Sequence, residues 1–278
     1  MKINIAKSAG FCFGVKRAVE KVYANVDKEH VYTYGPIIHN EQVVADLEKH
    51  GVKVVEEDTD LTQLSEGTIV VRAHGASRAE FDRLRECGMQ IEDATCPFVS
   101  KIYRIVEEES KAGRTVIIVG NAAHPEVRGI RGWSGEDTYV VGSIEEANNL
   151  NILAKNISIV SQTTFNLKKF KEIVEIFEKK GYDIKCLNTI CNATEVRQTE
   201  ARQIASQVDA MIVIGGKNSS NTQKLFEICK EECSNTYYIQ TAEDLDYTAI
   251  RGMQRIGITA GASTPKNIIE EVQTRCQI

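Results

Sequence analysis

The sequence predicts an α/β chain built from three similar units, and three observations carry that expectation. Cys12 in SAGFCFGVKRAV, Cys96 in DATCPFVSKIYRIV and Cys191 in NTICNATEVRQTEA stand 84 and 95 residues apart, each between a strand-like run and a helix-like one. A β-rich run ending in glycine follows each, with Gly35, Gly120 and Gly215 at 23, 24 and 24 residues from the cysteine. A polar loop then places His39, His124 and Ser219 at cysteine offsets of 27, 28 and 28.

The elements follow in order. After Cys12, the positions Val15, Ala18, Val19 and Val22 form the stripe of an amphipathic helix, and after Cys96 the same offsets hold Val99, Ile102, Tyr103 and Val106. After Cys191 they hold Thr194, Arg197, Gln198 and Ala201, and the apolar stripe begins only at Ala201, Ile204, Ala205 and Val208. First strands read VYTYG, TVIIVG and AMIVIGG, second strands VKVVEE, TYVVGS and TYYIQT, and third strands TIVVRAHG, ISIVSQTT and RIGITAGAS. The helices SRAEFDRLRECG, NLKKFKEIVEIFEKKG and TPKNIIEEVQTRC come next, the last opened by Pro265 in its first turn.

A fourth strand, MQIEDAT or YDIKCLNT, leads into the next cysteine, and KINIAKS before Cys12 stands in for the one that the third copy lacks. The expectation is a closed, pseudo-threefold ring of three α/β units, each with a four-stranded, mainly parallel sheet flanked by helices. Its domains are residues 12–96, 97–190 and 191–278, the last completed by residues 1–11.

A chain of 278 residues can bury a sizeable core, and a formal net charge of −5 excludes broad attraction to nucleic acid or anionic lipid. No apolar run approaches bilayer length, and MKINIAKSAG lacks the apolar core and cleavage site of a signal peptide, so a cytoplasmic protein is expected. Eight cysteines in a reducing compartment argue against a disulfide framework. The absence of a CxxC pair excludes a zinc ribbon or a thioredoxin-type site.

Parallel α/β units bind ligands beyond the carboxyl ends of their strands, where helix N-termini present unpaired N–H groups. All three cysteines and the polar loops are expected at that end. Three thiolates can hold three irons of a 4Fe-4S cluster and leave the fourth open to substrate. Three cysteines with one histidine equally suit a closed zinc site, as in a zinc-dependent hydrolase of phosphorylated substrates or a zinc-stabilised binding module. Cys87 and Cys276 near helix ends, Cys186 in a strand, and Cys229 and Cys233 one helical turn apart are expected to be buried and inert.

His39, His74 and His124 all fall in these loops, and protonated imidazoles beside helix N-termini suit a phosphate or diphosphate. Ser219, Ser220 and Asn221 supply neutral donors at the equivalent place in the third unit, and Ser263 in AGAS adds another. Glu126 in HPEV puts a carboxyl group beside the anion donors, where a proton donor to a leaving hydroxyl belongs, and the Thr163 hydroxyl is placed to pass or position that proton. No GxxxxGK[ST] or GxGxxG loop occurs, so neither a nucleoside triphosphate nor a nicotinamide is implied.

GFCFGV, PIIHN, RAHG, ATCP, HPEV, QTT, ICNAT, KNSSN and TAGAS, in this order across nearly the whole chain, resemble the LytB family of 4-hydroxy-3-methylbut-2-enyl diphosphate reductases. The resemblance implies a trefoil of three α/β domains around an oxygen-sensitive 4Fe-4S cluster ligated by Cys12, Cys96 and Cys191. It implies diphosphate binding by His39, His74, His124, Ser219, Ser220, Asn221 and Ser263, proton delivery by Glu126 and Thr163, and a further active-site threonine at Thr194. The implied reaction removes an allylic hydroxyl as water with two electrons and two protons, giving isopentenyl and dimethylallyl diphosphates. With no nucleotide or flavin motif, the implied electron donor is a reduced ferredoxin or flavodoxin.

Overall fold

The computed structural model describes residues 1–277; position 278, the last of the third expected domain, lies outside the described residues. In chain order the elements are β1 (Lys2–Ile5), α1 (Phe13–Tyr23), β2 (Val31–Tyr34), α2 (Glu41–Lys49), β3 (Lys53–Val55), β4 (Thr68–Val71), α3 (Arg78–Glu86) and β5 (Gln90–Asp93). Then come α4 (Pro97–Lys111), β6 (Thr115–Val119), α5 (Pro125–Trp133), β7 (Thr138–Val141), α6 (Ile144–Asn149), β8 (Asn156–Ser161), α7 (Leu167–Lys179) and β9 (Asp183–Cys186). The chain closes with α8 (Asn192–Ala205), β10 (Ala210–Ile214), α9 (Ser220–Glu232), β11 (Thr236–Ile239), β12 (Arg255–Ala260) and α10 (Lys266–Cys276).

Among the described residues, twelve strands form three four-stranded sheets in the orders β3-β2-β4-β5, β7-β6-β8-β9 and β11-β10-β12-β1, with parallel pairing throughout. The N-terminal strand does replace the missing fourth strand: Lys2 pairs with Arg255 and Ile5 with Ile258. Contacts divide the chain into two compact units. One comprises Met1–Lys16, His39–Val44 and the stretch from Cys191 on, and holds the β11-β10-β12-β1 sheet. The other comprises Arg17–Ile38 and Ala45–Ile190 and holds the remaining two sheets.

The inner strands β2, β6 and β10 are buried at every residue, which is why they read as mostly apolar runs: helices cover both faces of a parallel sheet. Helix α4 buries Val99, Ile102, Tyr103 and Val106, the stripe its spacing predicts. Helix α8 departs from that expectation, because it buries Thr194, Arg197 and Gln198 along with Ala201, Ile204 and Ala205. A polar stripe can face inward where the fold supplies acceptors, and Arg197 finds them in the carbonyls of Ala193 and Gly10.

Two further expectations shift. Pro265 is the N-cap of α10, with extended ψ of 151°, so the helix starts one residue later than the sequence suggests. Cys229, Cys233 and Cys276 are buried, but Cys87 is half-buried and Cys186, the last residue of the outer strand β9, is exposed. Burial pushes the Cys229 thiol up to about 12, which leaves it protonated and chemically quiet. Among the described residues no helix is long and apolar enough to cross a membrane.

Ile258 on β12 is fully buried between β1 and β10. Ile258→Ala is expected to destabilise the protein by about 2–5 kcal/mol, read as a lower urea midpoint with an unchanged slope.

Candidate functional site

In the unit containing residues 45–190, the key carboxyl group is Glu126. It lies in the first turn of α5, is only 2% exposed, and receives the Thr163 backbone N–H at 2.6 Å and the Thr163 hydroxyl at 2.8 Å. Burial pushes its pKa up to about 7, although both bonds from Thr163 favour the carboxylate and pull the other way. It is therefore a carboxyl group that can hold and release a proton near neutral pH.

His124 caps the same helix, its Nδ1 accepting the Glu126 N–H at 3.2 Å. An accepting Nδ1 leaves the ring proton on Nε2, so the imidazole can present Nε2–H as a donor. The His74 ring stands edge-on to it with centroids 5.4 Å apart. Tyr103 on α4 fixes the His74 segment by donating to the His74 carbonyl at 3.1 Å, and Gly75 at φ +73° admits the Tyr103 hydroxyl where a Cβ would lie 2.2 Å from it. Cys96 caps α4 ahead of Pro97, with its own N–H bound to the Ala73 carbonyl at 3.0 Å. His74, His124, Glu126, Thr163 and Cys96 thus belong to one compact unit, as strand-end and helix-start residues.

The other unit holds Cys12, His39, Cys191, Thr194, Ser219, Ser220, Asn221 and Ser263. Cys12 directly precedes α1, and the Val15 N–H points at its Sγ from 3.5 Å. Cys191 is the N-cap of α8, with buried Thr194 in the helix's first turn. Ser219 caps α9 and accepts from the Thr222 N–H at 3.3 Å and the Thr222 hydroxyl at 2.9 Å. Ser263 donates to the His39 carbonyl at 3.1 Å and lies 3.5 Å from the Ser219 hydroxyl, so three of the expected anion-binding residues come together. Gly216 makes room for that approach, since a Cβ there would fall 2.6 Å from the His39 carbonyl oxygen. Ser220 opens α9, and the buried amide Nδ2 of Asn221 beside it has no hydrogen-bond partner.

An unsatisfied buried donor at a helix N-terminus is costly unless an acceptor occupies the site, and an anion is the acceptor that a helix N-terminus favours. Cys12, Cys96 and Cys191 suit a metal for a related reason. Each is half-buried at a helix start, where unpaired terminal N–H groups can donate to sulfur, and cysteine sulfur is the ligand that iron–sulfur chemistry requires.

The sequence assigns no role to two further buried residues, Gln162 of the QTT motif and Arg197 of α8. Gln162, between β8 and Thr163, accepts the Asn121 N–H at 3.2 Å and donates to the Thr164 hydroxyl at 3.1 Å, tying the HPEV loop to the QTT loop. Arg197 falls at the cysteine offset of the stripe residues Ala18 and Ile102 and, although charged, is 5% exposed.

The raised pKa of Glu126 gives stability a pH dependence of definite sign. Between its ordinary 4.5 and about 7 the folded state holds a proton that the unfolded chain has lost, so stability falls as pH rises. Above pH 7 the penalty is complete, about 3 kcal/mol at roughly 1.4 kcal/mol per pH unit. Glu126→Gln is expected to lack this slope when urea midpoints are measured across the same range.

The profile described as LytB protein matches residues 3–277. The 4-hydroxy-3-methylbut-2-enyl diphosphate reductase of Caldanaerobacter subterraneus subsp. tengcongensis is 49% identical over 276 residues, covering 98% of this chain and 95% of the relative. That of Geobacter sulfurreducens is 47% identical over 278 residues, covering 100% and 97%. Among solved structures, the E-1-hydroxy-2-methyl-but-2-enyl-4-diphosphate reductase of Plasmodium falciparum superposes with a TM-score of 0.92 at 29% identity, over 99% of this chain and 87% of that one. A second, described as (E)-4-hydroxy-3-methyl-but-2-enyl diphosphate reductase, the terminal enzyme of the non-mevalonate pathway, gives 0.70 at 42% identity, over 100% and 99%. With its cysteines at three helix starts, its Glu126–Thr163 pair and a match running almost from end to end, the chain belongs to the LytB family.

Proposed function

We propose that this chain is an oxidoreductase of the non-mevalonate isoprenoid pathway. It removes the allylic hydroxyl of (E)-4-hydroxy-3-methylbut-2-enyl diphosphate as water, and isopentenyl and dimethylallyl diphosphates are the products. Relatives at up to 49% identity carry the reductase name, and the observation that carries the chemistry is the buried Glu126 carboxyl with a pKa of about 7.

Cys12, Cys96 and Cys191, one ahead of the first helix of each repeat, are the residues that would hold a 4Fe-4S cluster; the domains are 12–96, 97–190 and 191–278, with residues 1–11 completing the third. When bound, such a cluster supplies single electrons and, at an iron without a protein thiolate, Lewis acidity toward an alcohol oxygen. The rest falls to side chains. His39, His74, His124, Ser219, Ser220, Asn221 and Ser263 bind and orient the diphosphate through N–H and O–H donors, and Thr194 orients the organic part.

Glu126 delivers a proton to the departing hydroxyl, and Thr163 holds that carboxyl in place and relays its replacement. Two electrons and two protons enter per turnover: one proton leaves in the water, and the other ends on carbon. A reduced ferredoxin or flavodoxin supplies the electrons. The cytoplasm is the compartment, where reduced thiols persist as ligands.

Anaerobically purified protein is expected to be brown with about four irons per chain, the stoichiometry of the cluster. Colourless protein carrying one zinc would remove the assignment. Cys12→Ser, Cys96→Ser and Cys191→Ser should each lower iron content, whereas Cys229→Ser and Cys233→Ser should match the parent. Glu126→Gln should keep iron and substrate affinity while turnover drops roughly 10²–10⁴-fold. Parent turnover should decline as pH rises through about 7, where Glu126 loses its proton.

A further inference from the structure

Helix α8 carries a charge where its two sister helices carry apolar side chains. Six residues after each repeat cysteine stand Ala18, Ile102 and Arg197, and all three are buried. The first two are ordinary core residues. Burying a guanidinium in the third is expensive, and the same fold fills the position twice without a charge.

The geometry says what the charge is beside. Nη1 donates to the Ala193 carbonyl at 3.0 Å and Nη2 to the Gly10 carbonyl at 2.7 Å. Ala193 lies two residues after Cys191 and Gly10 two before Cys12, so the planar fork joins the two cysteine segments of this unit. Its buried Nε has no hydrogen-bond partner. Its electrostatic neighbours are the sulfur groups of Cys12 and Cys191 and the carboxylate of Glu200. The Glu200 carboxylate is already taken by the Lys7 N–H at 2.8 Å, the Ser8 N–H at 2.9 Å and the Ser8 hydroxyl at 2.5 Å. Burial lowers the guanidinium's hold on its proton and those three neighbours oppose the loss, but a guanidinium remains charged in either case.

We propose that Arg197 is a positioning residue for the iron–sulfur centre, a fixed cation beside two of its thiolate ligands that favours the more negative, reduced state and locks the Cys12 and Cys191 segments together. This rests on the ligation by Cys12 and Cys191 proposed above. A cation at fixed distance stabilises whichever redox state carries more negative charge. Its removal therefore lowers the reduction potential. The fork and the charge are separable, because Lys keeps the charge as a point without the planar pair of donors.

The test is an anaerobic redox titration of the cluster-loaded protein, followed by visible absorption and electron paramagnetic resonance, with iron release to a chelator as a second reading. Arg197→Gln should shift the reduction equilibrium at least tenfold toward the oxidised state, about 59 mV for a one-electron couple. Arg197→Lys should stay near the parent potential but release iron several-fold faster. Glu200→Gln, which removes the competing negative charge, should shift the potential upward. A loaded Arg197→Gln at the parent potential overturns the role alone, as does an Arg197→Lys shift equal to that of Gln. If Arg197→Gln binds no iron, an unshifted or downward Glu200→Gln overturns it. A parent chain that assembles no iron–sulfur centre overturns the ligation and this role with it.

Discussion

The first turn of an α-helix leaves its N–H groups without intrahelical acceptors, and the chemistry of this protein depends on where those turns are placed. In a parallel sheet every strand must be joined to the next by a crossover, so strand ends and helix starts accumulate on one side of each sheet. Cys96, His124, Cys191 and Ser219 are all N-cap residues, and Cys12 directly precedes α1. Thiolates, phosphate oxygens and an accepting imidazole nitrogen are each what such a turn favours. A single backbone rule thus prepares sites for a metal and for an anion.

Burial decides how these positions differ. Glu126 is buried in the first turn of α5, and loss of water raises its pKa more than the two bonds from Thr163 lower it. In the third unit the equivalent loop carries hydroxyl and amide donors, Ser219 and Asn221, which have no proton to lose near neutral pH. Helix α8 then adds a buried cation between the Cys12 and Cys191 segments. The copies have thus diverged: the second carries a buried carboxyl group at its helix start, and the third carries neutral hydroxyl and amide donors together with a buried guanidinium on α8.

What a reader of the residues alone can see follows from packing geometry. Buried parallel strands are mostly apolar, so TVIIV and AMIVI declare themselves, and the recurrence of strand, glycine and polar loop at a nearly constant distance from cysteine exposes the repeat. The N-terminal strand is legible as the missing piece because the third copy ends without one. Motifs such as HPEV and KNSSN mark the loops because donors, acceptors and caps must be supplied there by particular side chains.

The sequence by itself determined the three α/β units, the succession of strands and helices along each and the identity of the helix-start residues, since these rest on local periodicity and on composition. Only the tertiary structure decided that Glu126 loses its water, that Cys186 faces solvent while Cys229 does not, and that Arg197 turns inward to the carbonyls of Gly10 and Ala193. Desolvation is set by atoms far away along the chain. Gly10 is 187 residues from Arg197, and no local pattern encodes an acceptor at that distance.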